Sequence, residues 1–385
     1  MGDELILRLA FVTNNGFSKE NNKYYYSGAN IQHYSTVTKH FDEITFIAKK
    51  NNHEGYKNSI NKKYNVKLVE PITDSLFSFF YNLFNLNKTL DNVIKNSDIV
   101  MCFGINGYFA YRKAKKYNKP IITYIGGCVY DTLTNMDSKF KSKSAPLIMS
   151  MIKQMVCESD YVHYVDDYLL DKYPTKGDYL ICSSVNIKIS ENALIKRLNK
   201  IDKFYKTENK TIGLIGYTHN KIKGIDTAIK ALKYLDDSYK LEIVGRGDNQ
   251  WLIDLAKEYG VIEQIDFLGV ITDRTEIFNW LDSIDIYIQP SITEGLPRAT
   301  IEAMSRGCPV VSSHAGGLKS LIDERYRIEA GNDGDLANKI GILTNDIDKM
   351  KSASKTNFES SKKFDSSILN KKRNEFYKNI VKKTK

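Results

Sequence analysis

The strongest constraint on the fold is that the chain alternates, twice over, between short apolar runs and amphipathic helical stretches. In the first half, helical patterns such as 29–39, 108–117 and 146–156 separate runs with the apolar content of buried strands. Strands that alternate with helices imply βαβ units and a mainly parallel sheet. We predict the strands of this half at 5–12, 44–48, 66–69, 99–103, 121–125 and 161–165.

The same alternation restarts after a polar stretch at 186–210, rich in lysine and asparagine, which we interpret as a linker region. The predicted strands of the second half lie at 211–215, 241–244, 265–268, 284–288 and 310–312. A chain of 385 residues suits two domains. We therefore predict an α/β fold with two Rossmann-like domains, at 1–190 and 205–365, that face a central cleft. A basic C-terminal helix at 366–385 is expected to pack back on the first domain.

Composition narrows the class of protein. Hydrophobic residues make up 42% of the chain and charged residues 26%, which is ordinary for a globular protein. We interpret residues 1–13, which carry Asp3, Glu4 and Arg8, as a strand and not as a secretory signal. No run reaches the roughly 18 apolar residues that a membrane span needs. The five cysteines include no C-x-x-C pair, and the six histidines lack metal-ligand spacings. We expect a cytoplasmic, soluble or peripheral protein with no cofactor and no metal.

The formal charge of +10 leaves several interpretations open. An excess of lysine and arginine can serve nucleic acid, an anionic membrane surface or a substrate that carries polyphosphate. The lysines are spread thinly, so compositional drift explains the charge equally well. No nucleic-acid-binding motif is present, and we expect no nucleic acid partner.

The densest group of chemically informative residues is P-S-I-T-E-G-L-P-R-A-T-I-E-A-M at 290–304. It follows a predicted strand, and Pro297 suits the first position of a helix. Glu294 then lies in the loop before that helix and Glu302 inside it. Carboxylates accept hydrogen bonds from sugar hydroxyls, and helix N-termini favour phosphate. From the spacing alone, a helix-capping Glu294 and a solvated Glu302 are as good an interpretation.

A second loop, between a predicted strand ending near Gly216 and a helix beginning near Asp226, carries Lys223 and Gly224. Asp226 suits a capping role. A lysine at this place can neutralise charge that develops on a leaving diphosphate. A solvated surface lysine is the alternative.

The segment 290–317, PSITEGLPRATIEAMSRGCPVVSSHAGG, resembles the donor-binding signature of retaining glycosyltransferases of family 4, which have the GT-B fold. The resemblance extends from about residue 211 to residue 321 and is weaker in the first half, where ESDYVHYVDDYLLDKYP at 158–174 resembles the run that closes the family's first domain. It implies that the first domain serves the acceptor and the second binds a nucleotide sugar.

The resemblance also implies roles for single residues. Glu294 would contact the donor sugar near the reacting centre, and Glu302 would bind the ribose hydroxyls. Backbone amides of Gly295 and Leu296 would help to hold sugar and phosphate. Arg298 either contacts a phosphate or the acceptor, or is a surface arginine.

Lys223 matches a family lysine that binds the diphosphate, but the family arginine five residues earlier is Thr218 here. Lys221 either substitutes for that arginine or is a solvated charge. The resemblance places further donor contacts in glycine-containing loops that follow predicted strands or precede a helix, at Gly216, Gly245, Gly269, Val270 and Gly28.

The implied activity is retaining, metal-independent transfer of a hexosyl group from a nucleotide sugar, which we expect to be a UDP-sugar. The implied acceptor is a growing bacterial surface polysaccharide, such as capsule or O-antigen, on a lipid carrier. A GT-B nucleotide-sugar epimerase or hydrolase is the alternative enzyme. A non-enzymatic basic surface protein would explain the charge but not the two glutamates.

Two further stretches bear on the membrane. Aromatic residues are dense at 76–86, and three lysines precede the apolar run 146–155. An amphipathic basic and aromatic surface suits peripheral contact with an anionic membrane. The alternative is that both stretches are helices buried against the sheet.

Overall fold

The first half of the chain forms a mainly parallel sheet. Its strands are β1 (Arg8–Glu20), β2 (Lys23–Tyr26), β3 (Glu43–Lys50), β4 (Asn58–Ser59), β5 (Asn65–Val69), β6 (Ile99–Phe103), β7 (Ile121–Ile125), β8 (Tyr161–Tyr164) and β9 (Asp178–Ile181). The parallel strands lie in the order β5-β3-β1-β6-β7-β8-β9, and β2 and β4 add an antiparallel edge. The computed structural model describes residues 6–20, 23–26, 37–50, 58–59, 64–69, 76–135, 139–204 and 209–385.

The second half forms a sheet of six parallel strands. They are β10 (Lys210–Ile215), β11 (Tyr239–Val244), β12 (Ile265–Gly269), β13 (Ile286–Gln289), β14 (Val310–Ser313) and β15 (Arg327–Ile328). Their spatial order is β12-β11-β10-β13-β14-β15. The chain therefore moves outward from β10 in one direction, returns, and continues from β13 in the other. In such sheets ligands bind at the carboxyl ends of the strands, at the point where the order reverses.

Helices connect the strands in both halves. They are α1 (Leu76–Lys95), α2 (Gly104–Lys116), α3 (Val129–Thr134), α4 (Lys139–Cys157), α5 (Tyr168–Lys172), α6 (Glu191–Ile201), α7 (Ile225–Ala231), α8 (Gln250–Glu258), α9 (Arg274–Ser283), α10 (Arg298–Ser305), α11 (Leu318–Leu321), α12 (Asp333–Thr344), α13 (Ile347–Ser361) and α14 (Ser366–Thr384). Central strands such as β7 and β13 are buried at every residue, as expected where helices cover both faces of a parallel sheet.

The chain divides into two units, one of residues Met1–Ser184 with Leu369–Lys385 and the other of Val185–Ile368. The polar stretch that we interpreted as a linker belongs to the second unit, because one buried arginine anchors α6 there. Arg197 is 2% exposed and donates hydrogen bonds to the carbonyl oxygens of Ile284 and Leu281 and to Sγ of Cys308, at 2.5, 2.6 and 2.9 Å. These acceptors offset the cost of removing the guanidinium from water.

The C-terminal helix α14 packs on the sheet of the first unit. His163 of β8 is buried, with Nδ1 2.9 Å from the hydroxyl oxygen of Tyr377 and Nε2 2.8 Å from the carbonyl oxygen of Cys182. A carbonyl only accepts, so Nε2 carries the proton and the Tyr377 hydroxyl donates to Nδ1. Burial lowers the pKa of His163 to about 4, which keeps this ring neutral at neutral pH.

The predicted α/β class and the two Rossmann-like sheets are confirmed. Every predicted strand corresponds to an observed one, although β1 extends to Glu20 rather than ending near residue 12. The parallel strands β9 and β15 were not predicted. Both are short, and both lie at an edge of their sheet. Most of the predicted helix 29–39 lies outside the described residues.

Candidate functional site

The loops that follow β10 and β13 meet where the strand order of the second unit reverses. The amide of Ile292 donates to the carbonyl oxygen of Ile222 at 2.9 Å, which joins the two loops. Gly224 makes this approach possible. Its φ is +66°, and a Cβ there would collide with the carbonyl oxygen of Pro290. A side chain at this position would therefore force the loops apart.

This approach places Lys223 against Glu294. The Nζ atom of Lys223 lies 2.6 Å from Oε1 of Glu294, and their side chains are 24% and 6% exposed. Lys223 ends a short 3₁₀ helix, Lys221–Lys223, whose start is capped by Asn220 through a 3.1 Å bond from the amide of Ile222. The pair brings together the two residues predicted to act on the leaving group and on the sugar. Lys221 belongs to the same short helix and is exposed.

A line of buried side chains leads from the strand β13 to the same glutamate. The hydroxyl of Tyr287 donates to Oε1 of Gln289 at 2.7 Å, and Nε2 of Gln289 donates to Oγ of Ser291 at 2.9 Å. Ser291 in turn donates to Oε1 of Glu294 at 2.8 Å. Oε1 of Glu294 thus accepts from both a hydroxyl and an ammonium group. The three donor residues were absent from the sequence-based prediction.

Asp226 has a different role from the one predicted. Gly224 occupies the N-cap position of α7, and Asp226 is the second residue of the helix, so the predicted capping role is wrong. Its Oδ1 is buried and has no hydrogen-bond partner within the described part of the chain. The same holds for the buried hydroxyls of Thr218 and Thr300. All three lie in the loops or first helical turns after β10 and β13.

Glu302 lies on α10, where the charges of two arginines act on its carboxyl group. Burial raises the pKa of its carboxyl group, and the positive charges of Arg298 and Arg274 lower it in part. Arg298 is the first residue of α10, one turn before Glu302. Arg274 is the first residue of α9, which Asp273 caps by accepting from two backbone amides at 2.8 and 3.0 Å. Arg274 was not predicted, because α9 and α10 are separated by a strand in sequence.

The loop between Glu294 and α10 is held in place by a backbone hydrogen bond and a buried side chain. The carbonyl oxygen of Gly295 accepts from the amide of Gly317 at 3.1 Å, and Leu296 is buried. Pro297 occupies the N-cap position rather than the first helical position, so α10 begins at Arg298, one residue later than predicted. Helix α10 therefore begins directly after the Glu294 loop, and the free amides of its first turn face toward that end of the helix.

The glycines predicted for donor binding lie at the carboxyl ends of three neighbouring strands. Gly216 donates to the carbonyl oxygen of Val244 at 2.9 Å, and Gly245 donates to that of Gly269 at 2.8 Å. A Cβ at Gly245 would collide with the carbonyl oxygen of Gly216. Val270 follows β12 and is 56% exposed. Gly28 lies outside the described residues.

Thr218, which stands where the family resemblance expects an arginine, is joined to another arginine. Its amide donates to the carbonyl oxygen of Arg246 at 3.1 Å, and its carbonyl accepts from Nε1 of Trp251 at 2.7 Å. Arg246 is exposed, and its guanidinium lies 5.3 Å from the ring centroid of Tyr217. Arg246 thus adds a cation at this edge of the sheet. It was not predicted, because the approach of the loops after β10 and β11 is not visible in the sequence.

The described residues contain neither a metal-ligand cluster nor a membrane-spanning helix. Among them, no group of three or more histidine, cysteine, aspartate or glutamate side chains is arranged to hold a metal ion. None of the helices in the described ranges is long and apolar enough to cross a membrane.

Known proteins share both the sequence pattern and the fold. Residues 196–359 match the family model of glycosyl transferases group 1. The protein CapJ of Staphylococcus aureus is 30% identical over 330 residues, which cover 83% of this chain and 82% of CapJ. This family match favours a transferase over an epimerase or a hydrolase.

Solved structures share the fold at low sequence identity. HepE of Anabaena in complex with UDP-glucose matches with a TM-score of 0.70 and 15% identity, over 97% of this chain and all of HepE. WaaG, a glycosyltransferase involved in lipopolysaccharide biosynthesis, matches with a TM-score of 0.66 and 13% identity, over 96% and 99% of the two chains. With the family match over α6 to α13 and the fold of both halves, the chain belongs to the glycosyl transferases of group 1, with the GT-B fold.

Proposed function

We propose that this glycosyltransferase moves a hexosyl group from a UDP-sugar to a growing, lipid-linked surface polysaccharide, with retention of configuration and without a metal. The observation that carries the proposal is the Lys223–Glu294 pair at the reversal point of the second sheet. A cation and a carboxylate side by side match a ligand whose diphosphate is anionic and whose sugar offers hydroxyl groups.

The two residues have separate tasks in the proposed reaction. Lys223 turns from Glu294 to an oxygen of the diphosphate and stabilises the charge that develops there as the bond to the sugar breaks. Glu294 accepts hydrogen bonds from sugar hydroxyls and so orients the anomeric carbon. Glu302 accepts from the ribose hydroxyls, and the amides of Gly295 and Leu296 and the side chain of Arg298 contact sugar and phosphate.

Retention follows if the acceptor attacks on the face from which the diphosphate leaves. The bond between the anomeric carbon and the diphosphate oxygen breaks, and a bond to the acceptor oxygen forms on the same face. The departing diphosphate oxygen takes the acceptor proton, so Glu294 need not act as a nucleophile. Cations at the diphosphate replace the charge compensation that a metal would supply. We propose Lys223 and Arg246 as these cations, together with Lys221, which lies in the same short helix as Lys223.

The donor and acceptor classes rest on relatives. The HepE structure contains UDP-glucose, and WaaG takes part in lipopolysaccharide biosynthesis. We extend a uridine donor and a surface-glycan acceptor to this chain on that basis. Exposed apolar side chains on two helices of the first unit, Phe84 at 68% and Leu147 at 67%, support peripheral contact with an anionic membrane at its cytoplasmic face.

The test measures binding first and turnover second, in buffer with EDTA. We expect UDP and one UDP-sugar to raise the melting temperature more than GDP, ADP or CMP. Glu294→Ala should keep most of the UDP affinity and lose transfer, while Glu324→Ala, which changes an 86% exposed glutamate, should leave both unchanged. No stabilisation by any nucleotide, or full activity in Glu294→Ala, would overturn the proposal.

A further inference from the structure

The buried side chains of Tyr287, Gln289 and Ser291 form a hydrogen-bonded line that ends on Glu294. Tyr287 and Gln289 are alternate residues of β13, and Ser291 continues the alternation beyond its end. Because side chains two apart in a strand share a face, all three project to the same side of the sheet. Tyr287, Gln289 and Ser291 are at most 1% exposed, so water does not compete for these bonds.

All hydrogen bonds of this line are donated in one direction, toward Glu294. Burial raises the pKa of Tyr287 well above 10, so its hydroxyl keeps its proton and donates to the carbonyl oxygen of the Gln289 amide. That bond leaves the NH₂ group of the amide for Ser291, whose hydroxyl accepts it and donates its own proton to Glu294. Each group therefore donates toward the glutamate, and bonds in such a series strengthen one another.

Lys223 alone would not hold the carboxylate when a ligand is present. The lysine is 24% exposed on a flexible side chain, and the proposed reaction requires it to turn to the diphosphate. The bond from Ser291 does not depend on Lys223, so it remains when the ion pair opens. A carboxylate that accepts from a buried hydroxyl keeps this contact when Lys223 moves away.

We propose that Tyr287, Gln289 and Ser291 are positioning residues that hold the Glu294 carboxylate in its sugar-binding orientation after Lys223 has moved to the diphosphate. The inference rests on the proposed function of Glu294 and extends it to residues that touch no substrate. In this proposal each residue donates its hydrogen bond toward Glu294, and the substitutions below test that direction of donation.

The test is a graded series of variants in the full chain, with kcat and KM for the UDP-sugar and calorimetric affinity for UDP. Ser291→Ala should lower kcat about tenfold, the value of one hydrogen bond to a charged group. Tyr287→Phe should lower it about threefold, since it removes only the first donor. UDP affinity should change less than twofold in both variants. Equal effects of the two substitutions, or equal losses in UDP affinity and kcat, would overturn the proposal.

Two substitutions at Gln289 test whether the hydrogen bonds are donated toward Glu294. Gln289→Leu interrupts the line, whereas the carboxyl group of Gln289→Glu, kept protonated by burial, can still accept from Tyr287 and donate to Ser291. We expect kcat to fall further in Gln289→Leu than in Gln289→Glu. The opposite order would show that Gln289 does not donate toward Glu294.

Ser354→Ala is the matched control. Ser354 is fully buried in the same unit and donates to the carbonyl oxygen of Gly307 at 2.7 Å, away from the line. It should lose stability as Ser291→Ala does and keep wild-type kcat and KM. A fall of kcat in Ser354→Ala equal to that in Ser291→Ala would assign the effect to stability alone and overturn the proposal.

Two ligand-free structures separate this inference from the proposed function: Lys223→Met, which lacks the ion pair, and Lys223→Met combined with Ser291→Ala. We expect the Glu294 carboxylate to keep its orientation in Lys223→Met, where Ser291 still donates to it, and to adopt a new rotamer in the double variant. If the wild type turns over a UDP-sugar but Glu294 has the same orientation in both structures, only the positioning role fails. If the wild type binds no UDP-sugar, the proposed function fails, and the same orientation of Glu294 in both structures would still overturn the positioning role.

Discussion

Lys223 and Glu294, 71 residues apart in sequence, form a 2.6 Å ion pair at the point where the second sheet reverses its strand order. The carboxylate is nearly buried and the ammonium group is not. The pair therefore holds a buried negative charge with a cation that solvent, or a ligand, can reach. If either residue is replaced by a neutral one, the charge of the other is left without its partner in a largely buried site.

Removal of the cation should cost stability as well as activity. We expect Lys223→Met to lower the free energy of unfolding by about 2 kcal/mol, below the usual cost of breaking a fully buried pair because the lysine is partly exposed. The double variant Lys223→Met with Glu294→Gln should recover most of that loss and none of the activity. Denaturant unfolding of the two single variants and the double variant measures the coupling. Additive losses would contradict the account.

Arg246 should contribute to diphosphate binding. Its loop is bonded to Thr218 and it carries an exposed guanidinium at the carboxyl edge of the sheet. We expect Arg246→Ala to weaken UDP affinity about tenfold at low salt and less at high salt, because a charged contact is screened. Arg325→Ala, which changes an exposed arginine paired with Asp323 at 2.7 Å, is the matched control. Equal affinities in the two variants would exclude Arg246 from the site.

Glu302 should make stability depend on pH in a definite direction. Burial raises its pKa above the ordinary 4.5, so the unfolded chain releases this proton first as pH rises. The wild type therefore loses stability as pH increases from about 4.5 through the folded-state pKa, and Glu302→Gln removes that loss. We expect the melting temperature of the variant to gain on the wild type over this interval. A constant difference across the interval would be evidence against the raised pKa.

The same substitution should change nucleotide selectivity. If Glu302 accepts from the ribose hydroxyls, Glu302→Gln should reduce the preference for UDP over 2′-deoxy-UDP. Calorimetry with both nucleotides measures the ratio of affinities. An unchanged ratio would remove Glu302 from the ribose contact while leaving the pH prediction intact.

His163 should make the first unit sensitive to acid. Its pKa is lowered from 6.5 to about 4 by burial, so the unfolded chain takes up this proton first as pH falls. Stability from the neutral ring is present above pH 6.5 and is lost between 6.5 and about 4, by about 3 kcal/mol. His163→Leu should start less stable, because it loses two hydrogen bonds, but should show a flatter acid profile. Parallel profiles in urea titrations would refute this.

The central strands could be predicted because they are continuous apolar runs, as in Ile121–Ile125. The edge strands β9 and β15 could not, because their short segments carry polar or charged residues and little periodicity. Helix α6 was misinterpreted for a related reason. Arg197 looks like a surface charge in the sequence, and only the backbone oxygens that converge on it explain its burial.

The two glutamates and Lys223 could be singled out because they occupy loops after predicted strands. The residues that surround them could not, since their contacts depend on backbone approach. The alternation of Tyr287 and Gln289 in the buried strand β13, continued by Ser291 just beyond its end, is a signal that was present in the sequence. Polar side chains at every second position of a buried segment must find hydrogen-bond partners. Arg246 and Arg274 had no such signal, because each is brought to the site by a neighbouring strand.

The most direct measurement is a crystal structure with a non-hydrolysable UDP-sugar bound, solved in the presence of EDTA. The account predicts that Nζ of Lys223 leaves Oε1 of Glu294 for a diphosphate oxygen. It also predicts that Glu294 keeps its bond from Ser291 and accepts from a sugar hydroxyl. An intact Lys223–Glu294 pair with the nucleotide bound elsewhere would contradict the account.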